Sequence, residues 1–227
     1  MFSLPEDENT VVFYQGDLLY ITQEIVSPTH MPQLTLCSPG VSSCFVMVVF
    51  SNQILQGSSG YLPRRVAAIH IDVDSMTPGG REQNEATINS MVDFVSQSRD
   101  SVSIQVAILG GNMDYAFGPL SSAFLQRQFF CTLLKNRRIL ATNIIIGDQL
   151  ASCCGFSIGE PVKDAIISIG QSAFIRTNLV PHTRTRFTHE QYKACMQAIT
   201  IRCSESNFNR TLPYNQKTIN LTSKKLN

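Results

Sequence analysis

Seven cysteines and four histidines are spread through this chain of 227 residues, and one of each stands where a thiol and an imidazole could meet. Cys44 closes the stretch 37–44, CSPGVSSC, and opens an apolar run, 45–50, FVMVVF. His70 lies near the far end of a second short run, 66–72, VAAIHID. A cysteine attacks as thiolate, and a neighbouring imidazole takes its proton and later supplies it to a leaving group. A third group that accepts from the other ring nitrogen fixes the tautomer. The polar turn in front of Cys44 could aim backbone N–H groups of Ser42, Ser43 or Cys44 at a tetrahedral oxyanion. Together these parts would run acyl chemistry through a thioester. Spacing alone leaves many Cys and His pairings open, and a cysteine that begins an apolar strand is more often an inert small hydrophobe. Cys153 and Cys154 are read as packing, with the true reactive thiol as their alternative role.

The elements that must hold this pair are legible around it. Residues 44–50 read as a strand buried on both faces. Gly57-Ser58-Ser59-Gly60 is a flexible connection, and 66–72 is the returning strand. An antiparallel register centred on Gly57 sets Phe50 opposite Arg64, Val48 opposite Val66 and Cys44 opposite His70. Directly opposed residues share a face with Cβ atoms about 5 Å apart, so thiol and imidazole would touch.

Upstream, Gly16-Asp17 reads as a two-residue hairpin connection between 11–15 and 18–22. Residues 23–32 read as a loop, and 33–36 as a short extended piece leading into the CSPGVSSC turn. Downstream, Pro78-Gly79-Gly80 ends the strand unit. Residues 85–98 carry Ile88, Met91, Val92 and Val95 at helical spacing. A strand over 102–109 ends in Gly110-Gly111, which reads as a turn rather than a phosphate cradle. A second helix over 120–137 sets Phe124, Gln128, Cys131 and Leu134 along one side. Residues 139–146 and 165–169 are β-rich. Thr188-His189-Glu190-Gln191 is a capping-box pattern, and the helix it opens lines up Tyr192, Cys195, Met196 and Ile199. Arg64 and Arg65 read as a solvated strand end that could also line the mouth of the site. The expected fold class is α+β: a single domain over 1–203 of β-sandwich-like mixed sheets covered by helices. Residues 204–227 are expected to be a polar C-terminal tail, ordered at most in part.

Composition narrows the function. A net charge of +1 gives no basic field, so neither nucleic acid nor a membrane surface is an expected partner. The lead MFSLPEDENT is acidic, without the basic flank and apolar run of a signal peptide, and no later run is long enough to span a bilayer. The odd cysteine count, with no C-x-x-C spacing, reads as thiols in a reducing compartment and gives no expectation of a metal or cofactor.

The run Ser38-Pro39-Gly40-Val41-Ser42-Ser43-Cys44 before an apolar strand resembles the T-x-x-x-G-S-C turn of the chemoreceptor glutamine deamidases, CheD. It is also similar to the S-G-C turn of the cytotoxic necrotizing factor-type toxin deamidases. In both a histidine follows on the next strand, as His70 does here. CheD continues with a helix, a strand ending in Gly-Gly and another helix, an order that residues 85–98, 102–111 and 120–137 repeat, so the likeness in layout covers roughly residues 10–150. The resemblance implies a CheD-like deamidase architecture. It also implies a cysteine hydrolase that converts a glutamine of a protein substrate to glutamate and needs no cofactor. Residue by residue, it implies Cys44 as nucleophile and His70 as base. Ser38 stands where CheD has the threonine of its triad, with Thr35 as a fallback for that place, and Ser42 and Ser43 fall at the oxyanion turn. A serine replaces the family threonine, and Ser43 stands where the toxins have glycine. The implied protein acts as a monomer in a cytoplasm, or as an effector or toxin delivered to a host cytosol without a signal peptide. The other reading is a catalytically inactive module that keeps the fold and regulates a protein partner.

Overall fold

The two apolar runs that carry the thiol and the imidazole become adjacent strands inside one sheet. The computed structural model describes residues 9–27, 33–41, 44–51, 54–71, 78–97, 103–114, 122–146, 150–152, 163–170, 175–181, 187–205 and 212–222. The chain begins with β1 (Thr10–Val12), β2 (Asp17–Gln23), β3 (Leu34–Val41) and β4 (Phe45–Ser51). A small hairpin, β5 (Gln56–Gly57) and β6 (Gly60–Tyr61), leads to β7 (Arg64–Ile71) and helix α1 (Pro78–Ser96). Then come β8 (Ile104–Gly110), β9 (Asn112–Asp114), α2 (Ser122–Asn136), β10 (Ile144–Ile146) and β11 (Leu150–Ser152). The last elements are β12 (Lys163–Ile169), β13 (Ile175–Pro181), α3 (His189–Glu205) and β14 (Asn215–Leu221). Among the described residues one sheet runs β10-β8-β4-β7-β2-β14 and another runs β1-β3-β12-β13. The class is mixed α+β, with parallel and antiparallel pairs in both sheets.

Side-chain alternation explains the layers. Even-numbered Val46, Val48, Phe50, Val66 and Ala68 pack with Leu34, Leu36, Ala165 and Ile167 of the four-stranded sheet. Odd-numbered Phe45, Met47, Val49, Ala67, Ile69 and Ile71 pack with Ile88, Met91, Val92 and Val95 of α1 and with Phe130, Leu133 and Leu134 of α2. The six-stranded sheet is therefore a middle layer, and strands covered on both faces lose the alternation expected of a half-solvated sheet. Helix α3 lies over the outer face of the four-stranded sheet, where Tyr192 and Phe187 meet Cys37 and Ile166.

Several expectations are corrected. β1 and β2 do not form a hairpin: β1 pairs parallel with β3, and β2 pairs antiparallel with β7 in the other sheet. Between them the chain crosses from one sheet to the other through a turn. That turn is closed by Asp17 N–H to the Tyr14 carbonyl at 2.9 Å and by Tyr14 N–H to Asp17 Oδ2 at 2.9 Å. The β4–β7 register sets Val46 opposite His70 and Phe50 opposite Val66, two residues from the expected one. The small β5–β6 hairpin causes this by placing the turn at Ser58-Ser59, with Gly57 already paired to Gly60.

Helix α1 starts at Pro78, well before residue 85, because proline at a first helical turn gives up only an N–H that lacks a partner there anyway. The buried side of α2 holds Gln126, Arg127, Phe130, Leu133 and Leu134; of the side named from spacing Leu134 is buried and Cys131 is partly buried against the core, while Gln128 is exposed. The described part of the polar C-terminal stretch joins the fold. Residues 204–205 end α3, and β14 lies parallel to β2, anchored where Asn215 Nδ2 and Lys217 Nζ reach Asp17 at 2.9 and 2.6 Å. Its polar, mostly exposed side chains hide the strand from a pattern search, and such residues suit an edge strand. Among the described residues no helix is long and apolar enough to cross a membrane.

Candidate active site

Three side chains from three strands form one hydrogen-bonded chain. His70 Nε2 lies 3.0 Å from Cys44 Sγ, and His70 Nδ1 lies 2.8 Å from Ser38 Oγ. All three are buried between the two sheets, with exposures of 2% for Cys44 and 0% for His70 and Ser38. The alternation puts them there. Ser38 continues the inward set Leu34 and Leu36 of β3, His70 continues Val66 and Ala68 of β7, and Cys44 precedes Val46 by two. A register slip of two residues keeps every side chain on its face, so the thiol meets the imidazole diagonally rather than head-on.

The hydrogen bonds fix the protons. Ser38 Oγ donates its single proton to the Phe13 carbonyl at 3.0 Å, so toward His70 it can only accept. Nδ1 therefore carries the ring hydrogen, and Nε2 presents its lone pair to the Cys44 thiol. That is the tautomer a general base needs. Burial pushes His70 down to about 3, so the ring is neutral at neutral pH. The resting pair is a thiol and an imidazole, and proton transfer accompanies attack on a substrate rather than preceding it.

Residues 37–41 of the CSPGVSSC stretch belong to a bulged strand rather than to a turn. β3 runs on to Val41, and its Pro39 and Gly40 stand against the single residue Asp164 of β12. Proline offers no ladder N–H, and Gly40 takes φ +79, a conformation that favours glycine. The extra residue resets the alternation, so Ser38 and Val41 both face the sandwich. The Gly40 N–H goes to Asp164 Oδ1 at 3.4 Å, and the Cys44 thiol lies 4.0 Å from the Gly40 carbonyl as its second acceptor.

A second pair of glycines locks the other side of Cys44. Gly111 N–H donates to the Cys44 carbonyl at 2.9 Å. Gly110 and Gly111 have φ of +84 and +79. A Cβ on Gly110 would lie 2.6 Å from the Cys44 carbonyl oxygen, and one on Gly111 would enter the Phe45 ring. The Gly-Gly pair is thus a backbone abutment for the thiol, and the signal for it was the pair itself at the end of a strand.

The remaining candidates fall elsewhere. Thr35 accepts from Gln33 Nε2 at 3.5 Å, three residues along β3 from Ser38, and is not part of the chain. Ser42, Ser43, Cys153, Cys154 and His182 lie outside the described residues. His189 is exposed at the start of α3. Arg64 is neither solvated nor at a mouth: it is buried, its guanidinium reaches the Ile169 carbonyl at 3.2 Å, and burial pushes it down to about 10. Six residues of strand, about 20 Å, separate it from His70. Arg65 lies over the Phe94 ring. Among the described residues no cluster of three or more His, Cys, Asp or Glu side chains could hold a metal. A groove of about 540 Å³ lined by Tyr20, Ser90, Asp93, Phe94 and Gln216 lies on the helix-covered face of the sheet, away from the thiol. Sequence reasoning missed the contact of the Phe13 carbonyl with Ser38 and those of Asp164 and Cys195 with Gly40, which join distant segments.

No protein-family model and no curated protein matches this chain. Any functional reading therefore rests on the site itself.

Proposed function

We propose that this chain is a protein-glutamine deamidase of CheD-like architecture. The observation that carries the reading is the unbroken chain from Phe13 carbonyl to Ser38 hydroxyl to His70 to Cys44, with the ring tautomer set for a base. The order of the described elements supports it too: thiol strand, imidazole strand, helix, strand ending in Gly-Gly, helix.

In this mechanism Cys44 Sγ attacks the carboxamide carbon of a glutamine as its proton passes to His70 Nε2. Ser38 accepts the Nδ1–H throughout and steadies the imidazolium. The oxyanion role goes to backbone N–H groups at Ser42 and Ser43, an assignment that rests on sequence alone. His70 then gives its proton to the departing ammonia and leaves a thioester. Water, deprotonated by the same nitrogen, hydrolyses the thioester to glutamate, and the target gains about one negative charge at neutral pH.

The burial of Cys44 and His70 favours a second reading, a catalytically inactive module that keeps the site as part of its core. Glutamine-containing peptides test the choice. A deamidase releases ammonia, and hydroxylamine intercepts the thioester as a peptide hydroxamate, both requiring Cys44. A module that only binds gives neither product.

A further inference from the structure

We propose that Cys195 is a resolving thiol for Cys44, so that mild oxidation joins the two as a disulfide and ties helix α3 over the site. The geometry meets at Gly40. On one side the Cys44 thiol lies 4.0 Å from the Gly40 carbonyl. On the other, Cys195 Sγ and Ile199 Cδ1 fill the place of the absent side chain, 3.2 and 3.0 Å from where a Cβ would stand. Both sulfurs thus lie against Gly40, one near its carbonyl and the other in the space its side chain would take. Burial first, then the Asp164 carboxylate, holds the Cys195 thiol up at about 11.

The sparse burial of α3 favours this pair over others. A disulfide needs Cα atoms within about 7 Å, so one partner must be able to travel. Cys195 is the sole buried residue among the described side chains of α3, and Met196 and Ile201 on the same helix are exposed. An element with so few buried contacts shifts at low cost. Cys37 is pinned by strand pairing on both sides, to Val12 and to Ile166. Cys131 sits on α2, across the six-stranded sheet.

The chemistry needs a peroxide. The Cys44 sulfur, giving its proton to His70, attacks one peroxide oxygen; the O–O bond breaks, the sulfur is oxidised to a sulfenic acid, and the departing hydroxide takes the proton from His70 and leaves as water. Cys195 Sγ then attacks Cys44 Sγ. The S–S bond forms, the S–O bond breaks, and the hydroxyl leaves with the Cys195 proton as a second water. Reduction by a dithiol reverses the link.

The inference shares with the deamidase reading only the reactivity of Cys44, and its test does not use deamidation. The full-length protein is treated with substoichiometric hydrogen peroxide, remaining thiols are blocked, and peptides are mapped without reduction. The expected result is a Cys44–Cys195 linked peptide that disappears with dithiothreitol. Recovery of Cys44 as sulfinic acid with Cys195 unmodified overturns the proposal, as does linkage of Cys44 to another cysteine. Because the map is made on the wild-type chain, it does not depend on any variant folding. Cys195→Ser, if folded, should convert the linked peptide into over-oxidised Cys44, and a linked Cys44 peptide persisting in it contradicts the assignment.

Discussion

The Ser38 hydroxyl is an acceptor for His70, not a donor, because its one proton is committed to the Phe13 carbonyl. Ser38 therefore acts through orientation. Ser38→Ala leaves the Nδ1–H buried without an acceptor, a cost of about 1–3 kcal/mol. It should also slow turnover by less than His70→Ala, for which loss of a general base predicts about 10²–10⁴-fold. Ser38→Thr keeps the hydroxyl and should recover most of the activity. Nitrogen chemical shifts of His70 check the cause: the wild type should show Nδ1 protonated, and Ser38→Ala a mixture of tautomers.

The second prediction concerns acid. His70 stays neutral in the fold down to about 3, whereas in the unfolded chain it titrates near 6.5. Between those values the unfolded state binds a proton that the folded state does not. Stability is therefore full above about 6.5 and is lost progressively as pH falls toward 3. Urea midpoints from neutral to about pH 5 should fall for the wild type and fall less for His70→Asn. Equal slopes would place the acid sensitivity on another group.

A third prediction tests the glycine abutment. Gly110→Ala combines a left-handed backbone, worth about 1–2 kcal/mol against a side chain, with a Cβ driven against the Cys44 carbonyl. It should destabilise the fold by more than about 2 kcal/mol. In the surviving folded fraction, it should also shift Cys44 away from His70. Alkylation of Cys44 measured against Cys37 separates the effects. A general loosening speeds both thiols, while displacement of the abutment alters Cys44 alone.

The inward and outward positions around the thiol followed from strand geometry rather than from an apolar-polar pattern, because side chains alternate along any strand and a slip of two preserves the face. That is why Cys44 and His70 could be paired although their register was misread: the β5–β6 hairpin turns at Ser58-Ser59, which no feature of a Gly-Ser run distinguishes from a turn at Gly57. Ser38 was legible as the third group by its place before Cys44. Its partner Phe13 was not, because the expected hairpin at Gly16 kept residues 11–15 in the same sheet as 18–22. β14 escaped because an edge strand made of Asn, Gln, Lys and Thr has the composition of a tail. The contacts of Asp164 and Cys195 with Gly40 escaped because nothing local marks a bulge partner or a helix residue seated against a distant glycine.

The central claim is that Cys44, activated by His70, deamidates protein glutamines. A proteome-wide search for glutamine-to-glutamate conversions, in lysate incubated with wild type or with Cys44→Ala, tests it most directly. The account predicts a restricted set of converted sites with the wild type, absent with Cys44→Ala and reduced with Ser38→Ala. Identical conversions with wild type and Cys44→Ala, or none with either, would contradict it and leave the site as the core of a binding module.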